Sequence, residues 1–226
     1  MKLELLDAYN IRARLSASVI LLAPIAITVF LCFNEVSTIA SSSAFVFVLL
    51  AFTNYVPILQ RRFHQKNDRR NYASEFLLPD DQTIDSVTKE RYYRKLATID
   101  ESFSPFNNPV DTPAFRKCCD SAVEYLRAHT RENHLVLEEN INYGFCKNLF
   151  SDKVIGIIIC SLLMLCLSIY AAVKFNCLMD ISAEYYYAFV FNGVTLLFWI
   201  FGVTKNVLMA TAIRYAKTLI AAIDTL

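Results

Sequence analysis

The sequence predicts an all-α membrane protein: four transmembrane helices with a helical cytoplasmic region between spans 2 and 3. Three observations predict it. First, 55% of the 226 residues are hydrophobic and only four are glycine, above the roughly 45–50% apolar content of soluble domains. Second, that excess is concentrated in four stretches, 15–33, 37–59, 154–173 and 185–204, none of which contains Asp, Glu, Lys, Arg or His. Third, nearly every cation lies on one side of the resulting topology. Residues 1–14 carry three Lys/Arg, 61–153 fifteen and 205–226 three, leaving Lys174 alone in the segment 174–184.

Each stretch is close to the roughly 20 residues that a helix needs to cross about 30 Å of hydrocarbon. Four uncharged runs leave too little chain to bury them in a soluble core. The first stretch, "LSASVILLAPIAITVFLCF", is too long for the apolar region of a cleavable signal peptide and has no small-x-small site after it. The second begins with Ser41-Ser42-Ser43 and includes Asn54 and Pro57, so it is the most polar of the four. Pro24 and Pro57 mark expected kinks. The positive-inside rule then puts both termini and the middle region in the cytoplasm, with two short outer loops. The organisation that follows is 1–60, an N-terminal segment with spans 1 and 2; 61–153, a cytoplasmic helical region; 154–204, spans 3 and 4; and 205–226, a C-terminal cytoplasmic helix.

In the middle region, "SVTKERYYRKLATIDES" (86–102) predicts a helix opened by Ser86, and "FSPFNNPVDTP" (103–113) predicts a break. Thr112 and Pro113 then cap a longer helix running to about Phe145, with Phe115, Cys118 or Cys119, Ala122, Tyr125, Leu126 and His129 on its apolar stripe. The region is expected to be a helical hairpin continuous with the spans. The tail, "KNVLMATAIRYAKTLIAAIDTL", keeps helical periodicity through Leu208, Ala212, Tyr215, Leu219 and Ile223. It predicts a stalk of about 20 residues, roughly 30 Å long, that packs against the hairpin or another subunit.

Catalytic motifs are missing. There is no Gly-x-Ser-x-Gly, Walker or glycine-rich pattern. The acidic pairs Asp80-Asp81, Asp100-Glu101 and Glu138-Glu139 adjoin helix ends and predict caps or solvated faces. Adjacent Cys118 and Cys119 lack chelating spacing with His129 and His134, so neither metal nor cofactor is expected. Cys32 and Cys177 would both lie at the outer face, where a disulfide is sterically open. The chain is expected not to be an enzyme.

The spans lack the intramembrane charge typical of pumps and coupled transporters. They carry uncharged polar groups instead: Thr28, Asn54, Ser161, Ser168, Asn192 and Thr195. Two uses are open. These groups can hold helices together, or Asn54, Asn192 and Thr195, repeated by symmetry and flanked by Phe191 and Phe198, can line a pore. A pore requires an oligomer, and a tetramer is the expected count. The basic run "RRFHQKNDRR" (61–70) is first a topology signal next to phospholipid headgroups. Its Arg61, Arg62, Lys66, Arg69 and Arg70 are also the anion-binding candidates.

The segments "ENINYGFCKNLF" (139–150) and "LLDAYNIRARL" (5–15), with the four-span layout, resemble bacterial four-span proteins of anti-phage defence. The nearest is the membrane component of the Hailong system, and the Kiwa membrane protein is a second. The Hailong resemblance implies a homo-oligomeric ion channel that depolarises the infected cell. A nucleotide or oligonucleotide made by a partner nucleotidyltransferase would control it from the cytoplasm. The Kiwa resemblance implies a non-conducting scaffold or sensor that recruits a cytoplasmic defence partner.

Overall fold

The computed structural model describes residues 9–32, 71–174 and 181–226. All regular structure among them is helical. In chain order the α-helices are α1 (Ser16–Cys32), α2 (Tyr72–Phe76), α3 (Ser86–Ile99), α4 (Pro113–His129), α5 (His134–Lys174), α6 (Ala183–Leu197) and α7 (Lys205–Ala221). A π-helical stretch, Asn10–Leu15, leads into α1, and a second, Phe198–Gly202, ends α6.

Four helices are long and apolar enough to cross a membrane: Asn10–Cys32, His134–Lys174, Ala183–Gly202 and Lys205–Thr225. The first three overlap the expected spans 1, 3 and 4. The expected second span, 37–59, lies outside the described residues. The fourth is the tail. Its stripe of Ala212, Ala216, Leu219, Ile220, Ala222 and Ile223 is buried, and from Ala216 onward it belongs to a core that also holds Leu77, Leu96, Phe106 and Leu126. It carries Lys205 and Asp224 near its ends and Arg214 and Lys217 within it. That apolarity is used in the core of the second unit described below.

The chain divides into two compact units, Met1–His64 with Gly144–Leu208, and Gln65–Tyr143 with Met209–Leu226. The first is a helix bundle. Leu21 and Ala17 of α1, Leu149 and Cys160 of α5, and Trp199 and Val203 after α6 form its main cluster. Gly156 gives Trp199 its place, since a Cβ there would run into the indole ring. Farther along, Leu167, Tyr185 and Ala188 pack together with Leu31.

The second unit has an aromatic core. Tyr93 stacks on Phe106 with centroids 5.5 Å apart, and Phe115 meets Phe106 edge-on at 5.2 Å. The tail is tied to α3 by Arg91, whose guanidinium donates to Asp224 at 2.6 Å, and by Lys95, which donates to the Asp224 carbonyl at 2.8 Å. This unit has its own core, where a plain hairpin was expected.

Four boundaries differ from the expectation. The cap of α3 is Asp85, one residue earlier than Ser86, with its carboxylate accepting from Thr88 N at 2.9 Å. The supposed break contains a 3-10 helix, Glu101–Asn107, because Phe103 and Phe106 need core positions and Asp100 caps it at Ser102 N, 2.8 Å away. The long helix from Thr112 stops at His129. Thr130 turns its hydroxyl back to Leu126 O at 2.7 Å, and Asn133 Oδ1 accepts from Leu135 N at 3.1 Å to start α5. The fourth span and the tail are not one stalk, because Val203 is extended and Thr204 opens α7 by accepting from Leu208 N at 3.2 Å. The Thr112–Pro113 cap is present, with Phe115 N donating to Thr112 Oγ1 at 3.1 Å.

Candidate functional site

The polar groups of the spans divide into an inward set and an outward set. Asn192 on α6 is wholly buried and donates from Nδ2 to Thr28 Oγ1 on α1 at 2.8 Å and to Ala188 O at 2.8 Å. Its Oδ1 accepts nothing among the described residues. An amide inside a bundle has few other partners, so this pair joins α1 to α6. Thr195 turns its hydroxyl to Phe191 O at 2.8 Å. Phe191, Thr195 and Phe198 follow one another at i, i+4 and i+7 along one face, whereas Asn192 looks toward α1. The structure therefore separates Asn192 from the other three pore candidates. Asn54 lies outside the described residues.

Ser161 and Ser168 of α5 form the outward set. Both are exposed, one heptad apart, on a face otherwise made of Val154, Ile158, Leu162, Leu165 and Ile169. Ser168 satisfies its hydroxyl on Met164 O at 2.8 Å. The sequence named both serines as polar positions. It gave no sign of which way they face, because the hydrophobicity of α5 runs all the way round the helix.

The end of α6 is held by its neighbour. Lys153 of α5 donates from Nζ to Ile200 O at 2.9 Å and to Val203 O at 2.8 Å. These are among the carbonyls that a helix C-terminus leaves without partners, and a cation there also suits the helix dipole. Asn148 ties the other neighbour, donating to Ala13 O at 2.8 Å beside Arg12 and Arg14.

No protein-family model, curated protein or solved structure matches this chain. Chemistry must therefore be read from the described groups alone. In the second unit a cavity of about 590 Å³ is lined by Asp81, Asp85, Glu90, Lys89, Tyr93 and Pro109 among others. Lys89 is 5% exposed and donates to the carbonyls of Leu78 and Asp81. Burial pushes its pKa down, partly offset by Asp81 and Asp80. With three carboxylates around one ammonium already bound to carbonyls, the cavity repels a polyanion, and Lys89 serves to staple the 78–81 turn.

Of the acidic pairs, Asp100 is a cap, holding the 3-10 helix at Ser102 N. Asp81 instead closes a turn by accepting from Thr83 N at 2.8 Å, and Glu139, inside α5 and largely buried, pairs with Arg214 at 2.7 Å. The thiols of Cys118 and Cys119 point to the carbonyls of Ser102 and Leu77. Burial raises the Cys119 pKa to about 12. No group of three metal-ligating side chains occurs among the described residues. Arg61, Arg62, Lys66, Arg69, Arg70 and Cys177 lie outside the described residues.

Proposed function

We propose that this chain is an oligomeric membrane effector of bacterial anti-phage defence. It conducts ions across the inner membrane when a nucleotide or oligonucleotide signal reaches its cytoplasmic face. The observation that carries the reading is the placement of Ser161 and Ser168, two hydroxyl side chains on an exposed intramembrane face. Ser168 bonds back to Met164 O, whereas lipid offers the Ser161 hydroxyl no partner, so this face turns toward other copies of the chain or toward water. The uncharged bundle and the resemblance of 5–15 and 139–150 to defence proteins support it further. The soluble unit shares α5 and α7 with the spans and supplies a surface on which a signal can act.

The test is ion flux from vesicles containing the purified chain, with and without added cyclic oligonucleotides. Wild type depolarises the vesicles. Ser161→Leu with Ser168→Leu lowers flux by about tenfold or more while the oligomer keeps its size. An absence of flux under every condition removes the channel reading.

The second reading is a non-conducting scaffold that recruits a cytoplasmic defence partner. It is favoured by one observation: Asn192, the most polar intramembrane side chain described, is bonded to Thr28 within its own chain. Capture of a soluble partner through residues 65–143, without flux, supports it.

A further inference from the structure

The two ends of the helix bundle differ in charge. At the end where the chain enters α1 and α5 descends into the uncharged stretch, the described cations are Arg12, Arg14, Lys147, Lys153 and Lys205. The only acid there among the described residues is Asp152, which is 1% exposed. The opposite end carries Lys174 and Glu184, with the Lys174 ammonium 5.2 Å above the Tyr170 ring and Tyr170 stacked on Tyr185 at 5.3 Å. That end resembles the aromatic belt of a membrane interface. The first end is a concentration of positive charge.

Three bonds draw the cations together. Asn148, beside Lys147, donates to Ala13 O between Arg12 and Arg14. The Lys153 ammonium bonds Ile200 O and Val203 O, two residues before Lys205. Asn148 and Lys153 are five residues apart on one helix, about 7.5 Å of rise. A headgroup layer is about 5–8 Å thick per leaflet, the difference between a ~30 Å core and a 40–45 Å bilayer.

We propose that Arg12, Arg14, Lys147 and Lys205 form a collar that binds the phosphate headgroups of anionic phospholipids. Lys153 stays on its two carbonyls and holds the collar's shape, and the Arg14 guanidinium lies 5.7 Å over the Tyr9 ring, which restricts its reach. The occupant is a lipid and not a free phosphate, because the uncharged runs begin at Leu15 and Val154, immediately beside the cations. A phosphate bound there comes with an apolar tail that continues along those runs. This inference rests on the membrane reading of the bundle.

The experiment uses the full chain in two assays. Flotation with phosphatidylcholine liposomes after an alkaline carbonate wash tests the membrane reading alone, and failure to float overturns that reading. Native mass spectrometry from detergent, with phosphatidylglycerol and phosphatidylcholine supplied together, tests the collar. The expected result is at least about tenfold more retained phosphatidylglycerol. That preference falls to about twofold or less in R12Q/R14Q/K147Q/K205Q, which still floats. If the fourfold variant does not fold, K147Q/K205Q, both at exposed positions, lowers the preference by about threefold or more. Equal retention of the two lipids in wild type, or an unchanged preference in either variant, overturns the proposal. Displacement of the lipid by millimolar inorganic phosphate also overturns it, because the occupant is then the free anion.

Discussion

The two units solve the same packing problem with different side chains. The core of the second is built from rings: Tyr93, Phe103, Phe106 and Phe115 are all buried in it. Each ring enclosed there contributes hydrophobic free energy in proportion to its large area. The core of the first mixes small residues, Ala17, Ala188, Gly156 and Cys160, with Leu21, Leu149, Leu167, Tyr185 and Trp199. Much of its remaining bulk faces outward, as Phe201, Val194, Leu165 and Val173 do. Small residues let helices approach closely, and the Asn192–Thr28 pair adds a polar tie. The first unit leaves exposed the kind of large apolar side chain that the second encloses.

The largest break in that comparison should come from deleting 209–226. This removes Ala216, Leu219, Ile220, Ala222 and Ile223 from the soluble core. The soluble unit should lose its cooperative unfolding transition and become sensitive to limited proteolysis, while the truncated chain still floats with liposomes. Phe106→Ala should come next, costing about 3–5 kcal/mol in chemical unfolding monitored on the soluble unit.

Gly156→Ala places a methyl group against Trp199 and should cost the bundle about 1–3 kcal/mol, read as a lower midpoint in detergent unfolding followed by tryptophan fluorescence. Asn192→Leu should cost only about 0.6–1.7 kcal/mol, the range for hydrogen bonds between membrane helices. A loss several times larger would show that the amide does more than join α1 to α6.

The smallest effect is alkaline. Cys119 is neutral in the fold, with its pKa raised to about 12 by burial, and burial also raises that of Tyr93. The unfolded chain ionises first. The stability from these groups is therefore complete below the usual thiol range and falls as pH rises from there toward about 12. Cys119→Ala should flatten the slope of soluble-unit stability against pH in that interval, whatever it does to the stability at neutral pH.

Three of the expected spans were legible because the absence of charge over twenty residues is a strong physical constraint. The Thr112–Pro113 cap was equally plain, since a hydroxyl before proline satisfies an amide that the helix cannot. The stops at Thr130–Asn133 and Val203–Thr204 were not. The first lies in a stretch without glycine, and its reversal depends on the Thr130 hydroxyl and the Asn133 amide bonding to the backbone; the second directly follows Gly202, the one local sign of a helix end that the sequence offered there. The two-unit organisation was hidden for a related reason. The apolar stripe of α7 fits a projecting stalk as well as a packed core, and only its pairing with α3 shows the core. At the candidate site the sequence named the polar residues only as a set. Which of them faces α1 and which faces outward follows from helix packing, and the nearly uniform hydrophobicity of the spans carries no record of it.

The bond from Lys153 to the last carbonyls of the Ala183–Gly202 helix makes the two helices depend on each other during synthesis. The later helix is capped only when the earlier one is already beside it, so they should enter the bilayer as a pair. A ribosome stalled before residue 200 would leave Lys153 with no carbonyls to hold, and the nascent hairpin would remain open to membrane quality control.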